Sequence, residues 1–234
     1  MISTQKSEGM RRIADDVLLM SFPMPALGID FKRNVTLLRL RDGRVVIHST
    51  AAFSERDLAV IKGFGEPVWL VDATLLHDTF ATKGRAALIG TSYLAPGGFA
   101  KKTGISTEAL FPPPVDWAGE IDVLRIEGIR TNEHALFHRR SRTLVVADLF
   151  FSFPSDMHGW PRFFVRHIMR LPRLFGVSVF LRRLMISDKQ AFADSMNVLL
   201  AWNFDRLIVA HWEPIEKDAK RKVEQALRDA GVYR

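Results

Sequence analysis

The chain has 234 residues, no cysteine and a formal net charge of +7. With 47% hydrophobic and 25% charged residues, it has the balance of a soluble globular chain, long enough for one large domain or two small ones with a sizeable core. The missing cysteines exclude disulfides, thiolate zinc ligands and thiol nucleophiles, and fit a reducing compartment. No apolar run reaches the roughly 18 residues of a membrane span. Arg11 and Arg12 precede Val17-Leu18-Leu19-Met20, but Asp15 and Asp16 intervene, which argues against a secretory signal. A cytoplasmic location is expected.

In chain order, Thr36–Arg41 and Arg44–His48 read as strands around Asp42-Gly43, a dipeptide that fits a type I′ hairpin turn. Ser54, with Asp57 three residues on, predicts a capped helix ending near Gly63. Pro67–Asp72 reads as a buried strand, His77 to Lys83 as a helix start and Ala86–Ile89 as a further short strand. Tyr93–Gly98 is expected as a turn or loop, and Pro96-Gly97-Gly98 lacks the strand–loop–helix setting of a phosphate cradle. Val123–Ile126, Ala135–His138 and Thr143–Ala147 are strand-like, with 139–142 as a hairpin tip. Asp188 can cap a helix carrying Phe192, Met196, Leu199 and Leu200 on one face. Arg206–His211 is the last strand, and Glu216–Ala230 a closing helix stopped by Gly231. Sheets covered by helices follow, a mixed α/β (α+β) fold.

Four of the apolar runs deliver His or Asp at or just after their carboxyl ends: Val45–Ile47 into His48, Val68–Val71 into Asp72 and His77, Leu144–Ala147 into Asp148, and Leu207–Ala210 into His211. Ligands gather where such strands end. By spacing alone, His77, Asp148 and His211 fit helix capping, turn hydrogen bonding and a satisfied core histidine better than they fit metal ligation. Asp72 is open between ligand, water-orienting base and turn cap. His48 beside Ser49 does not make a nucleophile–base pair, because strand neighbours point to opposite faces. His138, beside Arg139, is expected on an exposed hairpin; His158 and His167 are expected at the surface.

The strings Leu70–His77, Leu144–Leu149 and Leu207–His211 resemble the metallo-β-lactamase-fold superfamily. With Leu38–Gly43, Ile47–Ser49, Ser141–Leu149 and Ala201–Arg206, the chain resembles more closely a domain-of-unknown-function branch of expected metallohydrolases, over about 34–211. That resemblance implies an αββα sandwich with a metal site at one edge of two sheets. The superfamily's His-x-His-x-Asp-His string falls on Asp72, Thr74, Leu76 and His77, so only its last histidine is kept. Its bridging aspartate falls on Asp148 and its final histidine on His211. His134, fourteen residues before Asp148, is the candidate for the intermediate histidine.

What the resemblance implies is a metal-dependent hydrolase with a reduced, mononuclear site. His77, Asp148 and His211 would hold one divalent ion, zinc first and iron or manganese also compatible, that activates water. Asp72 and Asp148 would be its catalytic carboxylates. The alternative is a non-catalytic relative that binds a small molecule, at a membrane surface, and keeps these residues as a vestigial network without metal.

The charge surplus lies in one place. Arg139, Arg140, Arg142, Arg162, Arg166, Arg170, Arg173, Arg182 and Arg183 stand against Asp148 and Asp156 between 139 and 187. Within it, 149–187 is expected as an Arg/Phe-rich lid or cap inserted into a single domain spanning 1–234. Arg162, Arg166 and Arg170, four apart, would share a helical face opposite an apolar one, and Pro172 would end that helix. Such a segment suits a cover attracting an anionic small-molecule substrate or peripheral membrane contact through 160–183. Nucleic acid is not favoured.

Overall fold

The computed structural model describes residues 9–232; residues 1–8 and 233–234 of the expected 1–234 domain lie outside the described residues. Its elements are β1 (Gly9–Ala14), β2 (Val17–Phe22), β3 (Pro25–Ala26), β4 (Ile29–Asp30), β5 (Arg33–Arg39), β6 (Arg44–His48), α1 (Glu55–Phe64), β7 (Glu66–Val71), α2 (Ala81–Ala87), β8 (Ser92–Ala95), α3 (Phe99–Thr103) and β9 (Glu108–Ala109). They continue with β10 (Ile121–Arg125), β11 (His134–His138), β12 (Thr143–Val145), β13 (Phe151–Ser152), α4 (Gly159–Phe163), β14 (Phe175–Gly176), α5 (Lys189–Ala201), β15 (Arg206–Ile208) and α6 (Ala219–Asp229).

Period-2 alternation sorts the strand residues into layers. Leu18, Met20, Val35, Leu37, Val45, Ile47 and Leu70 point to one side of a seven-stranded sheet ordered β1-β2-β5-β6-β7-β8-β9, where Phe53, Ile61, Phe64 and Phe99 pack from the helical side. Their neighbours Val17, Leu19, Leu38, Val46, Trp69 and Val71 point the other way. There they meet Ile121, Leu136, Val145 and Ile208 of a four-stranded sheet ordered β10-β11-β12-β15. The outer face of that second sheet carries Phe137, Leu144 and Leu207 against Phe192, Met196, Leu199, Val223 and Leu227 of α5 and α6. The result is helix, sheet, sheet, helix, the αββα sandwich.

Several local expectations hold in detail. Ser54 and Asp57 form a reciprocal capping box on α1, and Asp188 accepts from the Gln190 and Ala191 amides at the start of α5. Others need correction. The loop between β5 and β6 has three residues, not two: Gly43 N–H donates to Leu40 O, Leu40 N–H to Arg44 O, and of residues 41–43 only Gly43 has positive φ, at 90°. This is the longer hairpin class with glycine in the left-handed position. The expected strand at Ala86–Ile89 is the end of α2 and the turn after it, while Tyr93–Ala95, expected in a loop, lies in β8. Short apolar runs do not distinguish strand from buried helix. Pro96–Gly98 thus does follow a strand and precede a helix, although α3 has only five residues. His138 is buried, its Nδ1 2.7 Å from Ser141 Oγ, rather than on an exposed tip.

Topology puts the candidate residues at one edge. β6, β7 and β8 are mutually parallel, and β12 pairs parallel with β15, so the carboxyl ends in each set face the same way. Buried Asn34 ties the two sheets together there. Its backbone N–H donates to Ala210 O (2.8 Å), its side-chain amide to Val209 O (2.9 Å) and Trp212 O (2.8 Å), and its Oδ1 accepts from Ser21. Asn34→Ala removes the side-chain share of this junction and leaves Val209 O without a partner in a buried setting. A loss of about 2–3 kcal/mol is expected, read as a lower urea midpoint with unchanged slope.

Candidate metal centre

Three loops supply three convergent side chains. His77 lies between β7 and α2, Asp148 follows β12 and His211 follows β15. All three are buried. His77 Nε2 is 3.3 Å from Asp148 Oδ2 and His211 Nε2 is 3.2 Å from Asp148 Oδ1. One potential ligand atom from each lies within 4.8 Å of the others, and the two imidazole rings meet edge to face at 5.6 Å.

The ring nitrogens carry the chemical information. His211 Nδ1 is 2.7 Å from Lys32 O, and a carbonyl can only accept, so Nδ1 bears the proton. In the neutral ring Nε2 therefore presents a lone pair to a carboxylate oxygen. His77 is buried with neither ring nitrogen hydrogen-bonded. Burial, then the charge of Arg33, pushes its pKa down to about 4, so it is neutral at pH 7. For Asp148, burial works against ionisation. Attraction to the two imidazoles in their protonated forms, His77 first and then His211, outweighs it and holds the carboxyl well below its ordinary value. A buried carboxylate facing the lone pair of His211 is a poor arrangement by itself, and a cation between the two would relieve it. Two imidazoles and one carboxylate match the three protein ligands of an open zinc site. The His211 hydrogen bond to a carbonyl is the outer support such ligands use.

The remaining candidates fall around this cluster. Asp72 is fully buried, accepting from Thr50 N–H (3.2 Å), Thr50 Oγ1 (3.0 Å) and the Tyr93 hydroxyl. Burial raises its pKa to about 6 against those bonds and the charge of Arg33. Thr74 donates to Thr131 O, and Leu76 is exposed. His134 does not join the cluster: its Nδ1 faces Asn132 O at 3.1 Å and its ring lies beside Phe111. His48 is buried and pushed down to about 3, first by burial and then by His77 and Arg33. Ser49 accepts from Arg33 instead of from His48.

Two residues had no signal in the sequence. Arg33 is buried at the start of β5, with Nη1 3.0 Å from Ser49 Oγ and Nε unpartnered. Asp72, Asp148 and Asp78 act on its charge. Glu133 is buried under the Asp148 loop and accepts the amides of Ala147 (2.8 Å), Asp148 (3.1 Å) and Leu149 (3.2 Å). Burial, then Asp148, raises its pKa to about 8 against those bonds. Aromatic rings close the site on the side of residues 149–187. Phe151 stacks on His211 at 5.9 Å, and Phe31 meets His211 and Phe164 edge-on.

No protein-family model matches the sequence, and no curated protein is similar to it at the sequence level. Solved structures are similar in fold. The metallo-β-lactamase of Erythrobacter litoralis superposes with a TM-score of 0.65 at 14% identity, covering 95% of each chain. The metallo-β-lactamase of Hirschia baltica gives 0.64 at 10% identity, covering 98% of this chain and 99% of that one. The metallo-β-lactamase FIM-1 of Pseudomonas aeruginosa, solved in its mono-zinc form, gives 0.62 at 12% identity over 97% and 98%. Agreement over nearly the whole length of both partners establishes that this chain has the metallo-β-lactamase fold.

Proposed function

We propose that this protein is a metal-dependent hydrolase with a mononuclear site. The observation that carries this reading is the facing of Asp148 by two imidazoles, one with its outer nitrogen committed to Lys32 O and the other with no hydrogen-bond partner. His77, Asp148 and His211 would hold one divalent ion; zinc fits best, and the ligand types also accept iron or manganese. When bound at an open three-ligand site, such an ion supplies Lewis-acid polarisation and acidifies water. The chain's own residues do the rest. Lys32 O fixes the His211 tautomer, and Glu133 orients the Asp148 loop through three amides. Asp72, poised near neutrality, is the group to exchange a proton with substrate or water. Arg33 adds a fixed positive charge that favours an anionic small-molecule substrate. The segment 149–187 acts as a cap of the same domain, over the site.

One observation favours the competing reading, a non-catalytic relative. The positions that resemble the superfamily's first two histidines are Asp72 and Thr74, and both are engaged in protein hydrogen bonds. Metal analysis separates the two. Protein purified without chelator is expected to carry close to one equivalent of zinc, iron or manganese, lost in His77→Ala and in His211→Ala. Chelation should lower the melting temperature by about 5–10 °C where the ion had been present at a hundred times its Kd. A metal-free protein indifferent to chelators refutes the hydrolase reading.

The Asp72 role has its own signature. A general base works ionised, so activity on a responsive ester, phosphodiester or lactone should rise with pH through a midpoint at or below about 6. Asp72→Asn should flatten that limb and lower the plateau by about 10²-fold or more, with metal content unchanged. An unaltered pH profile in Asp72→Asn rules out the assignment.

A further inference from the structure

The segment between Asp156 and Asp188 contains six arginines and no acidic residue. Its inner face is accounted for: Phe153, Met157, Val165, Met169, Leu171 and Leu174 form a buried cluster with Phe31, Phe151, Phe164 and Trp212 packed against it. Its outer face is not. Trp160, Phe163, Ile168, Phe180 and Leu184 are 41–56% exposed. They are joined by Leu27, 70% exposed at the tip of the β3–β4 hairpin.

Leu27, Trp160 and Phe163 are linked directly. Trp160 Nε1 donates to Leu27 O at 3.0 Å. The Trp160 and Phe163 rings stack at 5.9 Å, and Val179 N–H donates to Met169 O, which joins the backbone before Phe180 to that after Ile168. Leu27 and Gly28 have φ of 54° and 74°, a two-residue turn that ordinarily takes Asn-Gly. Leucine there is strained and wet, which folding alone does not explain. Among the described residues Arg166, Arg170 and Arg183 make no hydrogen bond or ion pair and are exposed, whereas Arg173 pairs with Asp229 and Arg182 donates to Ala230 O.

We propose that this face, Leu27, Trp160, Phe163 and Ile168 with Arg166 and Arg170, docks the protein on an anionic lipid bilayer surface. Apolar tips interleaved with uncompensated arginines match the two layers of that surface, acyl boundary and phosphate headgroups, and tryptophan is the residue most at home between them. A nucleic acid would match the arginines but not the aliphatic tips, since bases stack on aromatic faces. No helix is long and apolar enough to cross a membrane among the described residues, so the contact is peripheral. The proposal stands apart from the metal centre and survives its failure.

Vesicle sedimentation of the full chain tests it. Binding to phosphatidylcholine vesicles containing phosphatidylglycerol should exceed binding to phosphatidylcholine alone, and should fade between about 0.1 and about 0.5 M salt. The triple variant Arg166→Gln, Arg170→Gln, Arg183→Gln should lose about fivefold in affinity per arginine, and Phe163→Ser about tenfold. Leu27→Asn, which suits the turn and so does not threaten folding, should weaken binding comparably. Equal partition to both vesicle types, or variants that bind like the native chain, overturns the proposal. So does capture of an oligonucleotide without vesicle binding, which would assign the arginines to nucleic acid.

Discussion

A carboxylate with an imidazole nitrogen 3.3 Å from one oxygen and another 3.2 Å from the other is the constraint around which this structure is arranged. Both rings are buried, and with the His211 proton held on Nδ1 by Lys32 O, its Nε2 faces the acid as a lone pair when that ring is neutral. Lone pairs set against a negative charge in a dry setting repel, and the cost of leaving such groups uncompensated is large. A positive charge placed at this point would relieve that repulsion. Arg33 supplies one cation nearby, yet Asp72 and Asp148 both act on it, so it does not neutralise the group by itself.

The site exists because the two sheets are pinned at the edge where it forms. Asn34 holds the chain at 209–212, which puts the His211 ring within reach of Lys32 O. From the other side, Leu75 N–H donates to Thr131 O and His134 N–H to Ala73 O, locking the loop before His77 onto the second sheet. Glu133 then gathers three successive amides under Asp148. Buried hydrogen-bond networks of this kind are satisfied member by member, which makes their geometry unique rather than adjustable. The unpartnered nitrogens of His77 and the Nε of Arg33 stand out against that background.

Aromatic rings join the segment 149–187 to the three-residue cluster. Phe151 stacks on His211, while Phe31 bridges His211 and the Phe164 ring of the segment that carries the exposed arginines. Anything that moves the outer face of that segment is therefore one ring away from a candidate ligand. Whatever occupies the outer face and whatever enters the centre are mechanically adjacent, although no charge on the outer face pairs with the centre's own acids among the described residues.

What the sequence by itself determined is local. Short apolar runs named most of the longer strands; Ser54 with Asp57 and Asp188 named helix starts, because caps act within one turn. The order of strands ending in His or Asp already marked the edge where chemistry would gather, and the resemblance of those strings marked the fold. Where the readings failed, the signal was short-range and ambiguous, as in Ala86–Ile89, or burial reversed the meaning of a polar residue, as in His138. Tertiary structure alone decided that His77, Asp148 and His211 meet while His134 turns to Asn132. It also decided that Arg33 and Glu133, which no motif singles out, lie inside. The meeting of Asp148 with His211 and His77 joins segments more than fifty residues apart, and no periodicity along the chain encodes which distant loops share a corner of the sandwich.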